Sequence, residues 1–320
     1  MKLHGIHHLT AVSSSIRENL RFYTGPMGMR LVKRSVNQDD PGTYHLFYAD
    51  AEGHAGTDLT FFPWPELAPP RPGHGMSSEV SLAIPLGSIA WWGDRLARYG
   101  VAIGGAETRF GEKTLPLSDP HGLRVALVET AEPSHRSFSA YQGSPVPPER
   151  QIRGLHGARV LERALAPTTS FLEEVMDFRR IGTEGSWHRY ALPAGGSGTV
   201  LDVAESPNLP RGMWGVGSIH HLAWRVDDAA HELAMRDRIE ASGARPTPVI
   251  DRFWFQSVYF KEPGGVLFEL ATDGPGFGVD EASAHLGEKL VLPPWLEPRR
   301  PQIEEALPTL TMPDPAETKR

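Results

Sequence analysis

The chain predicts an α+β fold built from four copies of a βαβββ unit, and three observations carry that prediction. Gly5-Ile6-His7-His8-Leu9-Thr10-Ala11 is matched by Ser218-Ile219-His220-His221-Leu222-Ala223-Trp224, two short apolar runs that each hold a histidine pair. Ser118-Asp119-Pro120-His121-Gly122-Leu123 is matched by Lys261-Glu262-Pro263-Gly264-Gly265-Val266, an acidic-Pro-x-Gly turn feeding an apolar strand. Composition agrees, since 33 Gly and 29 Pro in 320 residues suit many short strands joined by turns. Repeats of this length indicate one supersecondary unit used several times.

These landmarks, with a weaker pair at Gly154-Leu155-His156-Gly157-Ala158 and Gly198-Thr199-Val200-Leu201-Asp202-Val203, divide the chain into units at about 1–65, 77–131, 153–205 and 217–273. Each opens on a strand and continues into a helix. The first helix runs over Ser15–Tyr23, with Ser15 as N-cap and Ile16, Leu20 and Tyr23 on one face. The second spans Ser88–Tyr99 and the third Pro167–Met176. The fourth covers Asp227–Ser242 and stops at Gly243, a residue suited to a helix C-terminus. Short strands follow each helix, for example Tyr44–Tyr48 and Trp187–Leu192. Residues 1–131 and 153–273 are expected as two domains of two units each, followed by an extension over 274–320. Pro63–Gly75 and Ser134–Arg150 read as linkers, and the Pro-rich stretch Leu290–Arg320 as a surface wrap or disordered tail.

Composition excludes several functions. Net charge is −7 and pI about 6.1, without the basic footprint of a nucleic-acid binder. With no cysteine, disulfides, thiolate zinc sites, iron–sulfur clusters and cysteine nucleophiles are ruled out. The start of the chain lacks the apolar core of a signal peptide, and no apolar run approaches the ~18 residues needed to span a bilayer. A cytoplasmic location with no membrane partner is expected.

The order of motifs resembles the vicinal oxygen chelate superfamily of glyoxalase I, extradiol ring-cleaving dioxygenases and the fosfomycin and bleomycin resistance proteins. Within it the chain is similar to hydroquinone-type ring-cleaving dioxygenases, including the methylhydroquinone-linked branch. The likeness rests on Gly5–Thr10, Val36–Pro41 with Tyr44–Asp50, Thr108-Arg109-Phe110-Gly111, Ile219-His220-His221 and Tyr259–Glu269, and covers about residues 3 to 285. It implies that the four modules pair into two domains with curved mixed sheets.

Two histidines and one carboxylate on one face are the facial triad of non-haem Fe(II) oxygenases. Neighbouring strand residues point to opposite faces, so only one histidine of each pair can be a ligand. The resemblance assigns the second of each, giving His8, His221 and Glu269 as the metal set. Independently, a carboxylate inside Val266-Leu267-Phe268-Glu269-Leu270 is costly unless paired or bound to metal. Modules one and four must then meet in space. His7 and His220 are expected behind the ligands, and Thr10, two residues past His8, on the same cavity. The resemblance also places Tyr259 and Arg252 near the substrate, where they can hydrogen-bond a phenolate. Trp254, Phe253 and Phe255 can wall an aromatic pocket, and Asn37-Gln38-Asp39-Asp40 reads as a turn near the entrance. Modules two and three offer only His156 and Asp202, matching His221 and Glu269, and read as a vestigial second site.

The function implied is an Fe(II)-dependent, Mn(II)-tolerant ring-cleaving dioxygenase acting on a small aromatic substrate with O2. A homo-oligomer is left open. One alternative is a glyoxalase-type isomerase or lyase, whose sites carry four protein ligands; here the counterpart of Glu269 falls near Thr60 and Phe61, neither a carboxylate. The other is a non-catalytic binder of aromatic compounds or antibiotics.

Overall fold

The computed structural model describes residues 2–131 and 136–311. Residues 134 and 135 of the second linker and 312–320 of the tail lie outside them. Module one contains β1 (Ile6–Ser13), α1 (Ile16–Thr24), β2 (Arg30–Asn37), β3 (Asp40–Ala49) and β4 (Asp58–Pro63). Module two contains β5 (Met76–Pro85), α2 (Ile89–Arg98), β6 (Glu107–Arg109), β7 (Glu112–Ser118) and β8 (Arg124–Thr130). Module three contains β9 (Gly154–Glu162), α3 (Leu165–Ser170) extended by a wider π turn over Phe171–Val175, β10 (Arg179–Glu184), β11 (Trp187–Ala191) and β12 (Val200–Glu205). Module four contains β13 (Ile219–Val226), α4 (Ala229–Ala241), β14 (Ile250–Asp251), β15 (Gln256–Lys261) and β16 (Leu267–Thr272). The fourfold βαβββ expectation holds in every module.

Helix starts follow their chemistry. The Ser15 hydroxyl accepts the N–H of Glu18 at 3.2 Å, satisfying one of the donors that a first helical turn leaves unpaired. Asp228 does the same for His231 at the start of α4.

The strands form two eight-stranded sheets, each drawn from both halves of the chain. Sheet one runs β14-β15-β16-β13-β1-β4-β3-β2 and joins modules four and one. Sheet two runs β10-β11-β12-β9-β5-β8-β7-β6 and joins modules three and two. The seams are antiparallel, β1 against β13 and β5 against β9. Every residue of β1 is buried, as expected of a central strand packed on both faces. The linkers after modules one and three pair with each other through Arg71–Met213 and His74–Arg211 bridges. The C-terminal extension lies along edge strand β2, where Val291 N–H donates to Arg34 C=O at 3.0 Å. Buried Lys33 donates to Phe277 C=O and pairs with Asp280 and Glu281, fastening that segment. No helix of the described residues is long and apolar enough to cross a membrane.

Candidate metal centre

The register of sheet one brings the three candidate ligands together. In β13 and β16, parallel neighbours, Ala223 is opposite Glu269, so His221 lies diagonally one step away on the same face. His221 is in turn opposite Thr10 across the seam. The pairing of β1 with β13 shifts between Ile6 and Leu9 and again between Thr10 and Ala11. Such irregularities re-aim side chains, and these lie beside the two histidine pairs.

His8 Nε2 and His221 Nε2 are 3.2 Å apart. Glu269 Oε2 lies 3.0 Å from His221 Nε2 and 3.3 Å from His8 Nε2. All three side chains are buried, and Oε2 has no partner of hydrogen-bonding geometry among the described residues. Three electron-pair atoms converging in a dry site repel one another unless a cation or proton lies between them. Ligands about 2.1 Å from a common ion at right angles stand about 3 Å apart, so the donor set fits a divalent metal.

The remaining nitrogen of each ligand faces its neighbour. His7 Nδ1 meets His8 Nδ1 at 2.9 Å, and His220 Nδ1 meets His221 Nδ1 at 2.8 Å. His7 is tied further to Thr272 C=O through Nε2 at 3.1 Å. Such contacts behind a ligand fix its tautomer and ring direction. Burial and the adjacent ligand histidine lower both outer rings, His7 to about 3 and His220 to about 3, so both are neutral near pH 7. Burial by itself would raise the Glu269 carboxyl, but the facing His8 and His221 outweigh it and hold the group well below the usual carboxylate range.

Glu269 has a second anchor, Ser257, whose hydroxyl donates to Oε1 at 2.5 Å. The sequence marks Ser257 only by its place two residues before Tyr259, on the same strand face.

Above the triad lies a cavity of about 310 Å³ lined by His8, His221, His220, Tyr259, Arg252 and a set of aromatic rings. Trp254 and Phe255 belong to that wall, as expected, whereas Phe253 packs outward near Trp295. Phe47, Phe62 and Trp64 complete the wall from module one, and Asn37, Gln38 and Asp39 form its rim. Arg252 stands over the Tyr259 ring at 5.4 Å and pairs with Asp39 at 2.9 Å. Burial, then the Glu269 charge, raises the Tyr259 hydroxyl, so it remains a proton donor.

Two expectations need correction. Thr10 is fully buried and does not line the cavity; its hydroxyl meets Thr60 Oγ1 at 2.7 Å across β1 and β4. His156 does not occupy the His221 place. With Asp202 opposite Arg159, as Glu269 is opposite Ala223, the counterpart of His221 is Gly157, and His156 corresponds to His220. A one-residue difference of register changes the face of a strand, which motif spacing alone does not reveal. The Asp202 carboxylate is already paired: Arg189 donates to it through Nε at 2.7 Å and Nη2 at 3.0 Å. A further cluster, His4, Asp227 and His231, sits at the start of α4. There His231 Nδ1 already accepts the Asp227 N–H at 3.1 Å, as in a helix-start cap.

The Glyoxalase/Bleomycin resistance protein/Dioxygenase superfamily model matches residues 5–127 and 156–270. MhqO of Bacillus subtilis (strain 168), assigned as a ring-cleaving dioxygenase, is 42% identical over 96% of each chain. The chlorohydroquinone/hydroquinone 1,2-dioxygenase of Sphingobium indicum is 31% identical over 92% of this chain and 93% of its own. A crystal structure of an assigned dioxygenase from Bacillus subtilis superposes with a TM-score of 0.91 at 40% identity, covering 98% of this chain and 99% of that one. Glyoxalase I from Zea mays shares the fold alone, with a TM-score of 0.63 at 13% identity over 84% of this chain and 92% of its own. The chain therefore belongs to the Glyoxalase/Bleomycin resistance protein/Dioxygenase superfamily, as a ring-cleaving dioxygenase.

Proposed function

We propose that this dioxygenase uses Fe(II), with Mn(II) as a tolerated substitute, to open the ring of hydroquinone-like diols. One observation carries the reading: His8 Nε2, His221 Nε2 and Glu269 Oε2 converge within 3.0–3.3 Å on an aromatic-lined cavity. Two imidazoles and one carboxylate form the facial set that leaves positions open for exogenous ligands. When bound, the metal supplies the Lewis-acid and redox chemistry that couples an electron-rich ring to O2.

The chain's own groups then have distinct tasks. Phe47, Phe62, Trp64 and Trp254 hold a flat ring and exclude water. Arg252, kept in place by Asp39, favours the ionised form of a bound phenol. The Tyr259 hydroxyl donates toward negative charge developing on substrate oxygens. His220 lines the cavity as a neutral imidazole and, with Nδ1 2.8 Å from His221 Nδ1, holds that ring in position. His7 and Ser257 hold His8 and Glu269 in position from behind.

The glyoxalase-type alternative is disfavoured by Thr60, which stands opposite Thr10 as Glu269 stands opposite Ala223 and offers no carboxylate. The test is oxygen uptake by protein purified anaerobically and loaded with Fe(II), using hydroquinones and catechols. Uptake with a hydroquinone, accompanied by loss of the aromatic absorbance, is the expected result. Full iron loading without uptake on any aromatic diol would overturn the proposal. Repeating the assay with Mn(II) and Zn(II) assigns the metal.

A further inference from the structure

The two halves of sheet one are related by module symmetry, and their difference marks a residue without an assigned role. Tyr259 is opposite Glu269 in β15 and β16, and Phe47 is opposite Thr60 in β3 and β4. Two residues before each aromatic stands a polar side chain, Ser257 in one half and His45 in the other. Ser257 donates to the ligand carboxylate. His45 Nε2 lies 2.9 Å from Thr60 Oγ1, which continues at 2.7 Å to Thr10 Oγ1. Where module four contributes a metal-ligand carboxylate, module one contributes an imidazole braced on two buried hydroxyls.

The His45 ring is also held by packing. Its centroid is 3.9 Å from Phe47 and 4.3 Å from Phe62. It lines the same cavity as His8, His221, Arg252 and Tyr259. With Nε2 engaged by Thr60, Nδ1 is the nitrogen left, and it has no protein partner among the described residues. A polar edge in an aromatic wall is costly to cover with an apolar group and favourable to cover with a hydroxyl.

We propose that His45 determines specificity for a second hydroxyl on the ring: Nδ1 pairs with it while the first hydroxyl is directed at the His8–His221–Glu269 triad. The ligand class is a dihydroxybenzene, as opposed to a monophenol of the same size. Either tautomer serves, because a hydroxyl both donates and accepts. The inference rests on the aromatic-diol reading above and adds the residue that enforces it. A site that hydrogen-bonds a substrate hydroxyl rejects the analogue lacking it, here by roughly ten- to a hundredfold for one neutral bond.

The experiment uses the full chain loaded with Fe(II) and kept anaerobic. Binding of hydroquinone and of 4-methylphenol is followed by quenching of tryptophan fluorescence, since Trp64 and Trp254 line the cavity. Turnover of hydroquinone is then measured in air. The unsubstituted protein is expected to favour hydroquinone, and His45→Phe to lose that preference, with KM for hydroquinone rising more than kcat falls. His45→Gln, which keeps a polar group, is expected to recover part of the preference. Thr60→Val, which removes the brace and leaves the ring, is expected to weaken it. These two variants keep the test decisive if His45→Phe does not fold. A preference unchanged in His45→Phe, or unchanged in both His45→Gln and Thr60→Val, removes His45 from this role and leaves the dioxygenase reading intact. Equal binding of the two phenols by the unsubstituted protein does the same. If that protein binds no phenol at all, the proposed function fails and this inference fails with it.

Discussion

Two sheets with the same strand order have resolved the same internal positions in opposite ways. In sheet one the Tyr259 place faces Glu269, and three ligand atoms converge under an open cavity. In sheet two the corresponding place is Arg189, opposite Asp202 in β11 and β12, and its guanidinium pairs with that carboxylate. Arg189 also pairs with Glu112 and lies 4.2 Å from the Phe110 ring. Glu79, at the module-two place of His8, is taken by Arg109. Arg159 lies 3.6 Å from Asp202 and stacks at 4.3 Å on Trp187. Sheet two thus neutralises its buried carboxylates with its own arginines, whereas sheet one meets its carboxylate with two imidazoles. The backbone tolerates both; the side-chain charge decides which face can bind an ion from outside.

The sharpest way to break the contrast is to remove a ligand. Glu269→Ala, His8→Ala and His221→Ala should each lose iron and more than about a hundredfold in activity, since even groups behind a ligand are worth 10- to 100-fold. Metal content by elemental analysis and oxygen uptake check this. The matching change in sheet two should affect stability instead. Arg189→Ala leaves Asp202 and Glu112 without their main partner and should cost about 3 kcal/mol or more in denaturant unfolding, with iron binding retained. If Arg189→Ala abolished iron binding while leaving stability unchanged, the division of labour between the sheets would be wrong.

Tyr259→Phe keeps the ring and deletes the donor, so kcat should fall by about a hundredfold with metal content unchanged. The seam between the sheets supplies a pH test. Glu162 of β9 is buried beside Glu262 in the turn before β16, and a Cβ on Gly264 would come 1.6 Å from its carboxyl. Burial, and then the Glu262 charge, raise Glu162 from 4.5 to about 9. The folded state keeps a proton that the unfolded chain releases above about 4.5, so this contribution is complete below that pH and declines as pH rises toward 9. Glu162→Gln should flatten the slope of stability against pH over that window, read from urea midpoints. Ser15→Ala should cost about 1 kcal/mol through the lost cap of α1 and leave both sheets' chemistry untouched.

Much of this was legible in the residues themselves. Local chemistry marks the strand, turn and cap signals of each module, and those depend only on neighbours in the chain. The doubled histidine pairs and a carboxylate in an apolar strand point to His8, His221 and Glu269 because burying such groups without a partner is costly. Tertiary structure decided what depends on register and on groups far apart in sequence. His8 and His221 are separated by 213 positions, and only the β1–β13 seam sets their nitrogens 3.2 Å apart. The β1–β4 register sets Thr10 against Thr60, and the β9–β12 register moves His156 off the ligand place. His45 acquires its significance only beside Phe47, Phe62 and Thr60. The sequence by itself determined which groups must find partners; the packing of distant strands determined whether each partner is a metal ion, an arginine or a hydroxyl, because charge compensation depends on distances that chain order does not specify.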